Sequence, residues 1–208
     1  MSFVYKFVPE KTHVFIHIPK NGGSSLIDSL QNYNPYLKKK KRRPNKRFVG
    51  HLTYLETKAL FRPKEPLSFF CITRNPWERA VSLYHYIQQF KDHHNAQKLL
   101  KYLEAGMSFD EFIVYITQNK GREPRGQYSY MCDEAGKLAI DDVLDLSTIQ
   151  RDLNEFLNKN NCPAVTLDKK NASKHAHYTE YFTSDESIRL IAEAEADVID
   201  LCQYEFGK

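Results

Sequence analysis

Apolar positions return along the chain in two rhythms. Val14 to Ile18 is a short, continuous, β-rich run, and after a glycine-containing turn Leu26, Ile27 and Leu30 recur at helical spacing. The pattern predicts a strand, a loop and a helix. Leu67 to Thr73, LSFFCIT, is a second continuous run of the length of a buried parallel strand. Asn75-Pro76 follows it with an N-cap and a proline suited to the first helical position. From there Ala80, Val81, Tyr84 and Ile87 trace an apolar helix face, and Glu78, Ser82, His85 and Gln89 a polar one. Three capping-box patterns, Ser108-x-x-Glu111, Ser147-x-x-Gln150 and Thr183-x-x-Glu186, predict further helix starts, with a strand at Val143 to Leu146 ahead of the second. Strands alternating with helices predict an α/β domain with a mainly parallel sheet and helices on both faces. Ligands of such sheets sit beyond the carboxyl ends of the strands. The loop at Lys20 and the turn at Arg74 both fall at that end, where they are expected to face one pocket.

Length and composition narrow the setting. At 208 residues and 41% hydrophobic, the chain supports one well-buried core, and a single domain over residues 1–208 is expected. No run approaches the roughly eighteen apolar residues of a membrane span, and Lys6, Glu10 and Lys11 interrupt the start where an export signal needs an apolar stretch. A soluble, cytoplasmic protein is expected. Cys71, Cys132, Cys162 and Cys202 show no short spacing, so reduced structural thiols are expected, without a zinc site. A net charge of +4 suits an anionic ligand and is too mild for nucleic acid. Much of the excess lies in Lys38-Lys39-Lys40-Lys41-Arg42-Arg43, with Lys46 and Arg47 close behind. Prolines on either side make this a loop, and it reads either as a solvated basic segment or as a landing strip for a polyanionic substrate.

The chemistry concentrates in HIPKNGGSS, residues 17 to 25. A strand-to-helix turn with two glycines lets backbone N–H groups converge on a phosphate or sulfate. A Walker loop reads G-x-x-x-x-G-K-[ST]; here Lys20 precedes Gly22 and Gly23, so that pattern fails. The second strand then ends in Arg74, where a magnesium-dependent nucleotidase would be expected to place an acidic residue near the metal. Two anionic groups held by protein cations, with no metal, fit these residues. A glycine turn without a ligand stands as the plain alternative.

Three stretches resemble the sulfotransferases, in particular the carbohydrate sulfotransferases related to heparan sulfate 2-O-sulfotransferase. FIHIPKNGGSSL resembles the loop for the 5'-phosphosulfate of 3'-phosphoadenosine 5'-phosphosulfate (PAPS), although the family usually has threonine where Asn21 stands. CITRNPWERAVSLYHY resembles the 3'-phosphate segment, and RFVGHLTYLE the segment carrying the catalytic histidine. KKNASKHAHYTEYF is similar to a basic loop that closes over the nucleotide. The resemblance implies the sulfotransferase fold, a P-loop-like parallel sheet flanked by helices on both faces. It implies PAPS as donor, 3'-phosphoadenosine 5'-phosphate as product, and no metal.

By the same resemblance, Lys20, Asn21, Gly22, Gly23, Ser24 and Ser25 hold the 5'-phosphosulfate, Arg74 and Ser82 hold the 3'-phosphate, and Lys170, Ser173 and Lys174 close over the nucleotide. His51 is the implied general base and Lys20 the stabiliser of the leaving phosphate. Gln127 is implied on the acceptor side. An imidazole with a reference pKa of about 6.5 is neutral enough near pH 7 to accept a hydroxyl proton. His17 and His85 compete for that role; His175 is better placed to touch phosphate, and His13, His93, His94 and His177 read as loop or strand-flank residues. Asn171-Ala172-Ser173 also fits a glycosylation acceptor, which has no meaning without export. The implied acceptor is a carbohydrate hydroxyl, its identity and the oligomeric state left open. A degenerate P-loop kinase and a non-catalytic module for a phosphorylated nucleotide or sulfated glycan are the rival functions.

Overall fold

The computed structural model describes residues 4–33, 50–60, 66–89, 106–118, 125–167 and 176–208. The chain divides into two compact units, one formed by Met1–Thr73 and Gln127–Lys170, the other by Arg74–Gly126 and Asn171–Lys208.

The first unit carries a four-stranded mixed sheet flanked by helices. Its strands run β1 (Val4–Val8), β2 (Lys11–Ile16), β3 (Leu67–Thr73) and β4 (Asp142–Asp145), in that spatial order. β2 pairs parallel with β3, and β3 with β4, whereas β1 is antiparallel to β2. The expected mainly parallel sheet is present, with an antiparallel edge strand that periodicity did not mark. VYKFV is short and carries a lysine at its centre; it becomes a strand because Tyr5 pairs with His13 and its ring is fully buried. The boundaries of β2 and β4 also shift toward the N-terminus, so Ile18 and Leu146 lie outside their strands. From Thr12 to Ile16 and from Ser68 to Thr73 every residue is buried, as befits strands covered on both faces.

Helix α1 (Gly23–Ser29) places Leu26, one turn before Leu30, in the core of this unit. The helix Ile149–Lys159 adds Leu153, Phe156 and Leu157 at the i, i+3 and i+4 positions of one face. Phe156 stacks on Phe70 of β3 with ring centroids 4.7 Å apart. Thr148 is the N-cap, not Ser147, whose hydroxyl turns back to Asp145. All four cysteines are free.

The second unit is helical among its described residues. Helix α3 (Pro76–Gln89) begins as its sequence requires: Asn75 Oδ1 accepts hydrogen bonds from the N–H groups of Trp77 and Glu78, at 3.1 and 3.4 Å. Ala80, Val81 and Ile87 are buried with Phe109, Phe112, Phe182 and Ile191. Ser108 and Glu111 form the predicted reciprocal box. The Thr183 pattern is displaced by one residue, because Ser184 accepts from the Ser187 N–H while Thr183 donates its hydroxyl to Asp110.

A buried ion pair also ties this unit together. Arg79 Nη1 lies 2.9 Å from Glu195 Oε1, and its Nη2 donates to the Arg125 carbonyl at 3.0 Å. Both side chains are almost wholly buried, so removing one leaves the other charge stranded. Arg79→Ala is expected to destabilise the protein by about 3 to 5 kcal/mol, read as a lower denaturant midpoint. An unchanged midpoint would mean that the pair is matched by solvent in the folded state.

Candidate active site

The expected site residues divide between the two units. In the first, the chain leaves β2 at Ile16 and turns sharply: Lys20 and Gly22 both have positive φ, 70° and 73°. Lysine in that conformation is strained, since its Cβ crowds the backbone. At Gly22 a side chain meets a second obstacle, because a Cβ there would stand 2.6 Å from Leu146 Cδ1. At Gly23, a Cβ would stand 2.3 Å from His17 Cδ2 and 2.5 Å from its Nε2. Gly22 is favoured by its positive φ, and a side chain at Gly23 would displace the His17 ring. Lys20 and Ser25 are half-buried, and Gly22 and Ser24 are exposed.

Asn21 behaves differently from its loop neighbours. Only 1% of its surface is exposed. Its Nδ2 donates to the Ile72 carbonyl and to Gln127 Oε1, each at 2.7 Å. The side chain anchors the loop to the end of β3. Gln127, expected on the acceptor side, is fully buried and serves as the partner in this anchor. Asparagine supplies two N–H donors for those two acceptors, which a threonine hydroxyl does not.

His51 stands exposed ahead of helix α2 (Tyr54–Leu60). That helix is fixed by a reciprocal box with the usual T-x-x-E signature: the Thr53 N–H donates to Glu56 Oε2 at 2.8 Å, and the Glu56 N–H to Thr53 Oγ1 at 3.1 Å. The Nδ1 of His51 is 3.0 Å from the backbone carbonyl oxygen of His17. A carbonyl can only accept, so Nδ1 carries the hydrogen, and in the neutral ring Nε2 keeps the lone pair. The rings of the two histidines lie 4.6 Å apart between centroids. Burial, with the neighbouring His51 adding to it, pushes the pKa of His17 down to about 3. His17 is therefore neutral and a poor proton acceptor near pH 7, which weakens it as a rival base.

In the second unit, Arg74 directly follows β3 and its Nη2 pairs with Glu78 Oε1 at 2.9 Å. Ser82, one turn beyond Glu78 on α3, is 4% exposed and so belongs to the buried side of the helix, against the polar face expected from spacing. His85 lies edge-on to Tyr84 and Tyr181, with centroids 5.8 and 5.1 Å away. Lys170, Ser173, Lys174 and His175 lie outside the described residues, as do His93, His94 and the basic segment from Lys38 to Arg47. Among the described residues, no helix is long and apolar enough to cross a membrane, and no group of three or more His, Cys, Asp or Glu is arranged to hold a metal.

A family model described as the sulfotransferase family matches residues 5–200. No curated protein matches the chain.

Proposed function

Because the chain belongs to the sulfotransferase family, whose members transfer sulfuryl groups, we propose that it moves the sulfuryl group of PAPS in line to a carbohydrate hydroxyl, with His51 as general base and Lys20 at the leaving phosphate. The observation that carries the catalytic assignment is the Nδ1 contact of His51 with the His17 carbonyl, which leaves Nε2 as the proton acceptor. The acceptor oxygen forms a bond to sulfur as the bond from sulfur to the phosphate oxygen breaks. The hydroxyl proton goes to His51 Nε2, and the electron pair of the broken bond stays on the phosphate, facing Lys20. The P-loop-like turn from Lys20 to Ser25 would hold the 5'-phosphosulfate through its exposed backbone at Gly22 and Ser24, while Asn21 holds the turn itself. Arg74 and Ser82 would take the 3'-phosphate, and Lys170, Ser173 and Lys174 would close over the nucleotide. Residues 1–208 make up one sulfotransferase domain in this reading, and no metal takes part.

The deciding experiment incubates the protein with sulfur-labelled PAPS and a panel of glycans and small alcohols, with and without EDTA. Label should appear on a hydroxyl acceptor in both conditions. Tight binding of the 3',5'-bisphosphate product with no transfer to any acceptor would favour a binding module. Magnesium-dependent ATP turnover, abolished by EDTA, would favour a kinase.

The 3'-phosphate assignment has its own test. A charge-assisted hydrogen bond contributes roughly 1.5 to 3 kcal/mol, so Arg74→Ala is expected to weaken PAPS binding about ten- to a hundredfold. Loss of the arginine also leaves the Glu78 carboxylate unneutralised beside it, which works in the same direction. Binding of adenosine 5'-phosphosulfate, which lacks the 3' group, should barely change. Equal losses for both ligands in calorimetric titrations would overturn the assignment.

A further inference from the structure

We infer that the His17 side chain is a positioning residue, a spacer between the Lys20 loop and His51 that sets the distance from the leaving-group end of the site to the base. The inference rests on the sulfuryl-transfer reading above and adds a role for a histidine outside the proton-transfer step. Its backbone and its ring act on the same neighbour. The His17 carbonyl takes the Nδ1 hydrogen of His51 at 3.0 Å, and the His17 ring packs against the His51 ring at 4.6 Å. A hydrogen bond alone leaves an exposed imidazole free to tilt about its own axis; the second contact restrains that tilt.

The same ring also reaches the loop. The space that a side chain at Gly23 would fill is occupied by His17 Cδ2 and Nε2. Gly23, His17 and His51 therefore form a continuous contact chain from the anion loop to the proposed base, all within the first unit. Phe15 lies stacked beside His17 at 5.6 Å, so the ring is backed by the core and cannot retreat. In-line transfer makes this spacing matter, because acceptor oxygen, sulfur and leaving oxygen must lie on one line while Nε2 stays in reach of the proton. Misplacement by about 1 Å costs on the order of a hundredfold in rate. The ring also stays uncharged, so the imidazolium formed at His51 during transfer does not meet a second cation.

The test compares His17→Ala, which removes the spacer, with His17→Phe, which keeps a flat ring of similar size and loses the imidazole nitrogens. In the alanine variant kcat should fall by roughly a hundredfold while affinity for the bisphosphate product stays within about threefold; in the phenylalanine variant kcat should recover to within about tenfold of the parent. Nitrogen-correlated NMR of the ligand-free protein supplies a readout independent of turnover. The His17 carbonyl is backbone and survives both changes, so Nδ1 keeps its hydrogen; relaxation of the His51 ring should show it rigid in the parent and in His17→Phe, and more mobile in His17→Ala. Normal turnover in His17→Ala, loss of product binding equal to the loss of kcat, or a phenylalanine variant as impaired as the alanine one would each overturn the spacer. Should the parent transfer nothing from PAPS, the functional reading fails by itself. The motion of the His51 ring then decides the spacer: unchanged in His17→Ala it refutes the contact chain, and increased it supports it.

Discussion

Replacing His51 with alanine is expected to lower turnover by about a hundredfold to ten-thousandfold, the range of general-base contributions, and to leave product-nucleotide affinity nearly unchanged. The split follows from where the side chain stands. His51 is exposed, its Nδ1 is engaged by a backbone carbonyl, and the lone pair on Nε2 is the part left for chemistry. Deleting the ring removes a proton acceptor without opening the core or disturbing the Lys20 turn, whose anchor is Asn21. Steady-state rates beside a calorimetric titration with 3'-phosphoadenosine 5'-phosphate make the comparison. Near-normal rates in His51→Ala would move the role to another histidine; His85 would then be the better candidate, because burial keeps His17 from accepting a proton near neutral pH.

Lys20→Ala should reduce turnover by about a hundredfold to a thousandfold, the cost of removing one donor aimed at charge that grows in the transition state. Donor binding should suffer less, because the ground state carries less charge on the bridging oxygen. A companion variant makes the result specific. Lys20 has φ of 70°, a conformation that glycine adopts without penalty. Lys20→Gly should therefore be as stable as the parent or about 1 kcal/mol more stable, yet as inactive as Lys20→Ala. Thermal melts and turnover measured on both variants decide it. Full turnover with weakened PAPS binding would make Lys20 a binding residue only, and the leaving-group role would be lost.

The strained lysine illustrates how far local patterns reach. Two glycines after a strand announce a tight turn, and the sequence places it correctly between β2 and α1. Nothing in KNGG says that Lys20 itself adopts the left-handed conformation, because that depends on where the Asn21 amide is anchored. The anchor is Gln127, 106 positions away, and the Ile72 carbonyl at the end of β3. Ser82 gives the same lesson on a helix. Spacing assigned it to the polar face of α3, and in the structure it is buried. Arg79 went unmarked for a similar reason, since its counter-charge is 116 positions away.

Signals contained within a few residues were therefore sufficient by themselves for β3, for α3 with its Asn75 cap, for the Ser108 box, and for the order of strand, loop and helix around Lys20. Caps and hydrophobic periods arise from interactions three or four positions apart, so a short window holds all the information they need. The tertiary structure alone decided that VYKFV completes a mixed sheet, that Asn21 points inward, and that His17 and His51, 34 positions apart, share a hydrogen bond and a ring contact. Those outcomes depend on strand register and on which distant groups satisfy buried donors and acceptors, and these are settled only when the whole unit closes around them.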